Sequence, residues 1–309
     1  MSRALAVLAC AAAAAVPAGC GIGEGDERSG GATVRVTRDF GRAQLGSAGT
    51  DTLRDGGTVM RFLRSKFEVE TRFGGGFVQS IDGLAGEGSA GRRDWFFFVN
   101  GVESEVGAAE YELSPGDRVQ WDLRRWGAAM QVPAIVGAYP EPFRSGLQGK
   151  RRPVRVECEN VDAGPCRDAK AALERSGVPV SGSSLGAPGT ETVTRLVVAR
   201  WPQVRIVRGA PALAEGPAAS GVFARFGGDG RSLELLDEDG KVARTVRRGE
   251  GTALVAALRP REDELVWLVT ALDEAGLAAG VAALEEKRLR DAFAVAVTGR
   301  TVEKLPLAP

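Results

Sequence analysis

The chain has 309 residues, 44% of them hydrophobic, and its 40 Lys and Arg residues balance its 40 Asp and Glu residues. This length predicts a globular protein of about two domains. The neutral balance gives no long-range attraction for nucleic acid. The chain also lacks histidine, which is the commonest general base and transition-metal ligand. We therefore expect a binding protein rather than an enzyme, with no metal site, no resident cofactor and no nucleic-acid partner.

The N-terminus has the order of an export signal. Arg3 precedes an apolar run at residues 4–16, and small residues follow at 17–19. The run is too short to span a membrane. The sequence Ala-Gly-Cys-Gly around Cys20 resembles the bacterial lipobox, which implies that residues 1–19 are a lipoprotein signal peptide and that Cys20 is lipidated. We expect a lipid anchor at the extracytoplasmic face of the cell membrane, although Pro17 replaces the usual aliphatic residue and leaves open a signal cut without lipidation.

The remaining cysteines form an even pair. Cys10 leaves with the signal and Cys20 takes the lipid, so Cys158 and Cys166 are left. In an oxidising compartment we expect a disulfide between them. Closing so short a loop contributes about 2 to 3 kcal/mol in the chain-entropy model. Two unpaired structural thiols are the alternative.

The first half of the mature chain has mostly strand-like patterns. Glycine-rich, charged residues 20–31 predict a flexible tether. Residues 32–130 then predict one domain of strands crossed by one helix. Its elements are a half-buried strand at 33–37, a helix at 59–66 capped by Thr58, a central strand at 94–99 that ends in the hairpin signal Asn100-Gly101, and a half-buried strand at 119–123.

The second half alternates strands with helices. Residues 131–150 contain three prolines and predict a linker, and residues 151–309 predict a small α/β domain of no family that we recognise. Its expected strands are 154–157, 196–199, 232–236, 241–246, 252–258, 265–270 and 293–297, and its expected helices are 168–175 and 273–287.

Three segments carry a resemblance to a known family. They are the sequence TVMRFL at 58–63, SIDG at 80–83, and WFFFVNG at 95–101 followed by YELSPGDRVQW at 111–121. The stretch 57–126 resembles the transcobalamin-like C-terminal domain known as DUF4430. The resemblance implies a β-grasp-like domain and a corrinoid-like, that is cobalamin-like, ligand. The predicted fold class is therefore α+β, with a β-grasp-like N-terminal domain followed by a small α/β domain.

Six residues are candidate ligand contacts. Large aromatics with a polar edge are frequent both in pockets and in cores, and both interpretations stay open for those on the central strands. In the second half, the strand ending at Thr270 leads into Asp273 and a helix N-terminus, where free amides can hold an anion. Capping alone would also explain Asp273. The candidates are Trp95, Phe97, Trp121, Trp126, Thr270 and Asp273.

Other polar residues favour structural interpretations. Asn100 and Asp117 have the residue types that their turns require. Ser220 lies in a glycine-rich loop but has no histidine to activate it. Asp237 and Asp239 predict a hairpin turn, because the further acidic positions of a calcium loop are absent. Paired carboxylates could still serve catalysis, but no acidic pair has a distinctive spacing.

The leading hypothesis is a membrane-anchored, extracytoplasmic binding lipoprotein. Its two domains form a shared cleft that captures a corrinoid-like small molecule for an uptake transporter. The alternative is a cell-envelope interaction module whose aromatic sheet face docks a protein or a glycan.

Overall fold

The computed structural model describes residues 27–187 and 192–308. The predicted signal peptide and Cys20 lie outside these ranges. Within them, no helix combines the length and the apolar character needed to cross a bilayer.

The first half contains eight strands and two short helices. They are β1 (Glu27–Arg38), β2 (Ala43–Arg54), α1 (Val59–Arg64), β3 (Val69–Arg72), β4 (Phe77–Ile81), β5 (Leu84–Ala85), α2 (Gly88–Gly91), β6 (Arg93–Val99), β7 (Val102–Glu103) and β8 (Arg118–Arg125). A 3-10 turn, Phe73–Gly75, joins β3 to β4.

The described second half contains ten strands and five α-helices. They are β9 (Val154–Cys158), α3 (Gly164–Arg175), β10 (Val180–Ser184), β11 (Thr194–Arg200), α4 (Trp201–Val204), α5 (Pro217–Ser220), β12 (Ala224–Phe226), β13 (Ser232–Leu236), β14 (Val242–Arg247), β15 (Thr252–Arg261), β16 (Glu264–Ala271), α6 (Glu274–Ala282), α7 (Glu286–Leu289), β17 (Ala294–Thr298) and β18 (Thr301–Leu305). A 3-10 helix spans Ala210–Ala214.

The N-terminal sheet has the strand order β2-β1-β8-β6-β7. One of its faces packs against α1 and the small sheet β3-β4-β5 around a core that includes Val34, Leu63 and Leu123. Helix α1 begins as predicted, because the Thr58 hydroxyl accepts the Arg61 N–H at 3.3 Å. The Asn100-Gly101 hairpin is also confirmed, since both residues have positive φ and join paired strands.

The C-terminal sheet has seven strands in the order β10-β9-β11-β16-β15-β17-β18. Strands β10, β9, β11 and β16 are parallel, and the other three join antiparallel. Helices α3 and α6 pack on one face. The small sheet β12-β13-β14 packs on the other face, where Leu235 shares a core with Leu254 and Leu268.

The predicted α+β fold class, with a distinct small α/β domain, is wrong. The described part of the chain is β-rich: 42% of it is strand, arranged in several sheets, and 18% is helix. Strands form where the sequence has few β-branched residues: β2 pairs along β1 although its sequence is AQLGSAGTDTLR, with no valine or isoleucine. Pairing with a neighbour overrides such weak local preferences. The second expected helix also ends early, at Ala282 instead of near residue 287.

One of the hydrophobic cores contains residues of both halves, so the halves do not stand apart. Phe40 and Phe98 of the first half pack edge to face against Phe293 of the second, with ring centroids 5.2 and 5.3 Å apart. Residues 131–150, predicted as a linker, contain no named helix or strand but bury Ile135 and Tyr139 in the cores. This segment is therefore part of the packed interior.

Two local predictions need correction. The flexible tether was predicted to reach residue 31, but residues 27–31 belong to β1, and a side chain on Gly31 would collide with the Thr50 carbonyl of β2. The glycine permits close strand approach there. Strand β8 was predicted to be half buried, but both of its faces are buried, because the second half covers the polar one.

Candidate functional site

Three of the predicted aromatic contacts belong to the N-terminal core. Trp95 and Trp121 are buried, and the Trp95 indole donates to the Leu84 carbonyl at 3.1 Å. Phe97 stacks on Trp121 with ring centroids 4.9 Å apart. Trp121 Nε1 has no hydrogen-bond partner among the described residues. Trp95, Phe97 and Trp121 therefore pack within the N-terminal core.

Trp126 lies just beyond β8 and is half buried. Its indole donates to Asp94 Oδ2 at 2.9 Å, and its backbone N–H donates to the Arg92 carbonyl. These bonds fix the end of β8 against the start of β6.

Thr270 and Asp273 are held inside the second half. The Thr270 hydroxyl is fully buried and has no partner within the described ranges. Asp273 caps α6 as predicted, accepting from Gly276 N at 2.8 Å, Gly249 N at 2.7 Å and Gly251 N at 3.3 Å. Burial alone would raise the pKa of Asp273, but these backbone donors lower it overall. The carboxylate is thus occupied by backbone amides.

The predicted disulfide is present. Cys158 at the end of β9 and Cys166 in the first turn of α3 are joined, with an S–S distance of 2.02 Å. A cavity of about 200 Å³ lies beside it, at the ends of β9 and β11. Glu159 and Arg200 line this cavity and form a multiply hydrogen-bonded pair. Their polar groups are therefore already matched to each other.

A groove lies where the two halves meet. We call it the junction groove; its volume is about 580 Å³. An adjoining cavity of about 420 Å³ shares six of its lining residues. The groove is formed by the β7 hairpin and the loop after it, by the segment before β9, and by the turn between β15 and β16. Its lining comprises Val99, Val102, Glu103, Ser104, Glu105, Val106, Tyr111, Leu147, Gln148, Lys150, Arg152, Arg259, Arg261, Glu262 and Asp263.

Apolar side chains lie beneath the groove, and charged ones stand around it. Val99, Val102 and Tyr111 are buried. Burial and the nearby Asp117 carboxylate raise the pKa of Tyr111, although a hydrogen bond from the Gln148 backbone acts the other way. The Tyr111 phenol is therefore neutral across the physiological range. Tyr111 thus contributes a ring with a polar hydroxyl to the groove.

Arg259 is a largely buried cation of the groove with several polar partners. Its side chain is only 14% exposed, and its Nη1 lies 2.8 Å from Glu105 Oε1. Its Nε and Nη2 donate to the Glu262 carbonyl at 3.1 and 2.7 Å. Because these contacts join the β7–β8 loop to the β15–β16 turn, Arg259 fixes the two walls of the groove together.

Glu103 connects the groove to the buried junction. It accepts the Val132 N–H at 2.9 Å and lies 3.8 Å from Arg124. Burial raises the pKa of Glu103, opposed by the charge of Arg124, the Val132 N–H and the charge of Arg259. Desolvation lowers the pKa of Arg124 to about 10, opposed by Glu103 and Asp122. The groove is thus backed by a charged network that orders its inner wall.

None of the six predicted ligand residues lines the junction groove. The groove residues come from three separated segments, 99–111, 147–152 and 259–263, and no local pattern joins them. One signal was available: the sequence Arg-Pro-Arg-Glu-Asp at 259–263 places five polar or turn-forming residues between two apolar strands. Such a turn indicates a charged rim, but not what faces it. Among the described residues, no cluster of cysteine and carboxylate side chains has the arrangement of a metal site.

Comparisons with known proteins agree with part of the sequence analysis. Residues 56–125 match the family described as a domain of unknown function, DUF4430. No curated protein matches the chain. A solved structure of a candidate metal-binding protein from Ruminococcus gnavus aligns over 31% of this chain and 98% of its own length, with 18% identity and a TM-score of 0.27.

Proposed function

We propose that this protein is an exported lipoprotein, anchored through Cys20, that holds a small molecule in the junction groove. The observation that carries the proposal is the groove itself. It has an apolar floor, charged walls and contributions from both halves, and ligand sites favour such concave junctions. Arg259 and Glu103 are already ordered by their neighbours, so binding need not order them.

The groove favours a ligand with polar groups around an apolar body. Lys150, Arg261 and Glu262 are exposed around the groove, where they can meet groups of either charge. The resemblance of the sequence at 57–126 to the transcobalamin-like domain makes a corrinoid the first ligand to test. In this proposal the anchored protein passes its ligand to an uptake transporter.

Thermal unfolding of the full chain with and without cyanocobalamin tests the ligand. A ligand present at 100 times its Kd stabilises the folded state by about 2.7 kcal/mol. We expect Arg259→Ala to lose most of this stabilisation. Arg244→Ala is the matched control, because Arg244 also pairs with a glutamate, Glu303, away from the groove. If the unsubstituted chain is not stabilised, a corrinoid is not the ligand. If the two variants are stabilised equally, the junction groove is not its binding site.

Fractionation of cells tests the anchor. The unsubstituted protein should be recovered with membranes, and Cys20→Ala should be released or left unprocessed. Cys158→Ala is the matched cysteine control, because Cys158 lies in the disulfide of the second half. Unchanged processing and unchanged membrane recovery of Cys20→Ala would contradict lipidation at this residue.

A further inference from the structure

The turn between β3 and β4 presents two phenylalanines to solvent. We call residues 73–77, Phe-Gly-Gly-Gly-Phe, the phenylalanine tip. Phe73 is 88% exposed and Phe77 is 39% exposed. Their rings pack edge to face with centroids 6.3 Å apart. Phe73 is the most exposed large apolar side chain among the described residues, so the pair forms an apolar knob without a covering partner.

The backbone of the tip adopts a conformation that a phenylalanine rarely takes. Phe73 has a φ of 54°, followed by Gly74 at 71° and Gly75 at 97°. A non-glycine residue in this left-handed region is disfavoured unless its surroundings compensate. No atom lies within 4 Å of where a side chain on Gly74 or Gly75 would begin. The space around both glycines is therefore open, and the tip projects into solvent.

Charges are unevenly distributed along the β3–β4 hairpin. At the tip end, Arg72 directly precedes Phe73, and Arg64 donates to the Thr71 hydroxyl at 2.9 Å. At the base, Glu68 and Asp82 are joined by two hydrogen bonds of 2.8 Å. Glu70, within β3, is opposite Ser80 and accepts from its hydroxyl at 2.8 Å. The apolar knob is thus flanked by the guanidinium groups, while the three carboxylates lie further towards the base.

We propose that the phenylalanine tip docks on the surface of a lipid bilayer that contains anionic lipids. The two rings enter the boundary between headgroups and acyl chains, and Arg64 and Arg72 meet the lipid phosphates. The apolar knob suits the hydrocarbon boundary, and the neighbouring positive charge suits an anionic surface.

This contact is separate from ligand binding in the junction groove and does not require lipidation of Cys20. If Cys20 is lipidated, the contact is favoured further, because the seven residue steps to Glu27 extend at most about 25 Å. The folded part would then stay beside the membrane, and the tip would act as a second, weaker attachment that sets how the protein faces the bilayer.

Tryptophan substitution tests this contact in the full chain. Phe73→Trp is compared with Ile206→Trp, a matched control whose isoleucine is 73% exposed in the second half. Each variant is mixed with vesicles of phosphatidylcholine and phosphatidylglycerol that carry brominated acyl chains, and the unsubstituted chain provides the background emission. We expect the tryptophan at 73 to shift to shorter wavelength and to lose intensity, while the tryptophan at 206 changes in neither way.

Charge dependence provides the second readout. The quenching at position 73 should weaken with vesicles of phosphatidylcholine alone, with added salt, and in a chain that also carries Arg64→Gln and Arg72→Gln. Equal quenching at positions 73 and 206, no quenching at 73, or failure of the full chain to float with the anionic vesicles would each overturn the proposal.

Discussion

The two faces of β8 are both buried but are built from different residues. Val119, Trp121 and Leu123 face the N-terminal core. Gln120, Asp122 and Arg124 alternate with them and form the opposite face, and all three are buried. Gln120 donates to the Asp291 carbonyl of the second half at 3.1 Å. The Asp122 carboxylate accepts from Thr37 Oγ1 at 2.6 Å, Phe40 N at 2.9 Å and Gly41 N at 2.8 Å.

The comparison shows that alternating polar residues can mark an internal interface. The Arg124 guanidinium lies 3.8 Å from the centre of the Phe96 ring and donates to the carbonyls of Ala129 and Met130 at 2.9 and 3.0 Å. Asp291 of the second half pairs with Arg35 of β1. Apolar packing holds the first face, and matched polar groups hold the second.

The largest expected loss of stability comes from truncating one buried side chain on each face of β8. Leu123→Ala should lower the free energy of unfolding by about 2 to 5 kcal/mol through the cavity that it leaves. Arg124→Ala should cost about 3 to 5 kcal/mol, because it leaves Glu103 and two carbonyls without their buried partner. Urea denaturation measures both changes. Arg125→Ala, at an exposed neighbour, is the control, and an Arg124→Ala change as small as the control would show that the polar face is not a structural interface.

The next largest effect is a dependence of the unfolding free energy on pH. Burial raises the pKa of Asp122 from 3.8 to about 6, against the hydrogen bonds from Thr37, Gly41 and Phe40 and the charge of Arg124. The folded protein therefore binds this proton more tightly than the unfolded chain, so stability falls as the pH rises from about 4 to about 6. This dependence amounts to about 3 kcal/mol at most.

Asp122→Asn removes this titration. Relative to Asp122→Asn, the unsubstituted protein should gain unfolding free energy as the pH falls from about 6 to about 4. Urea denaturation at a series of pH values measures the difference. A difference that stays flat through this window would place the pKa of Asp122 near its ordinary value.

Removing the disulfide should have a similar or smaller effect, outside the junction. Replacing Cys158 and Cys166 by alanine frees a loop with a sequence separation of 8 and should cost about 2 to 3 kcal/mol. Because neither residue lies at the junction, the pH dependence from Asp122 should persist in this variant. Loss of that dependence would mean that the two regions are coupled.

The smallest effect is expected at the end of β8. Trp126→Phe removes the hydrogen bond to Asp94 at a half-buried position and should cost about 1 kcal/mol. Met130→Leu, at a residue that is 58% exposed, should change the urea midpoint very little. A Trp126→Phe cost well above that of Leu123→Ala would show that Trp126 has a larger structural role than its contacts indicate.

Local patterns predicted the elements whose signals are complete within a few residues. Examples are the Thr58 cap, the Asn100-Gly101 hairpin and the Asp273 cap. Strand β2 could not be predicted, because its small and polar residues form a strand only when β1 is beside them. The junction groove depends on contacts between segments more than 100 residues apart in sequence, such as Glu105 with Arg259. A period-2 pattern shows that a strand has two faces but not what covers the second one.

Hydrogen–deuterium exchange of the full chain with and without cyanocobalamin tests most directly whether the junction groove, formed by both halves, holds the ligand. We expect slower exchange on ligand addition in three groove segments together, 99–111, 147–152 and 259–263. Arg259→Ala should weaken this protection in all three segments. Protection confined to one half, or protection elsewhere with these segments unchanged, would contradict a ligand site at the junction.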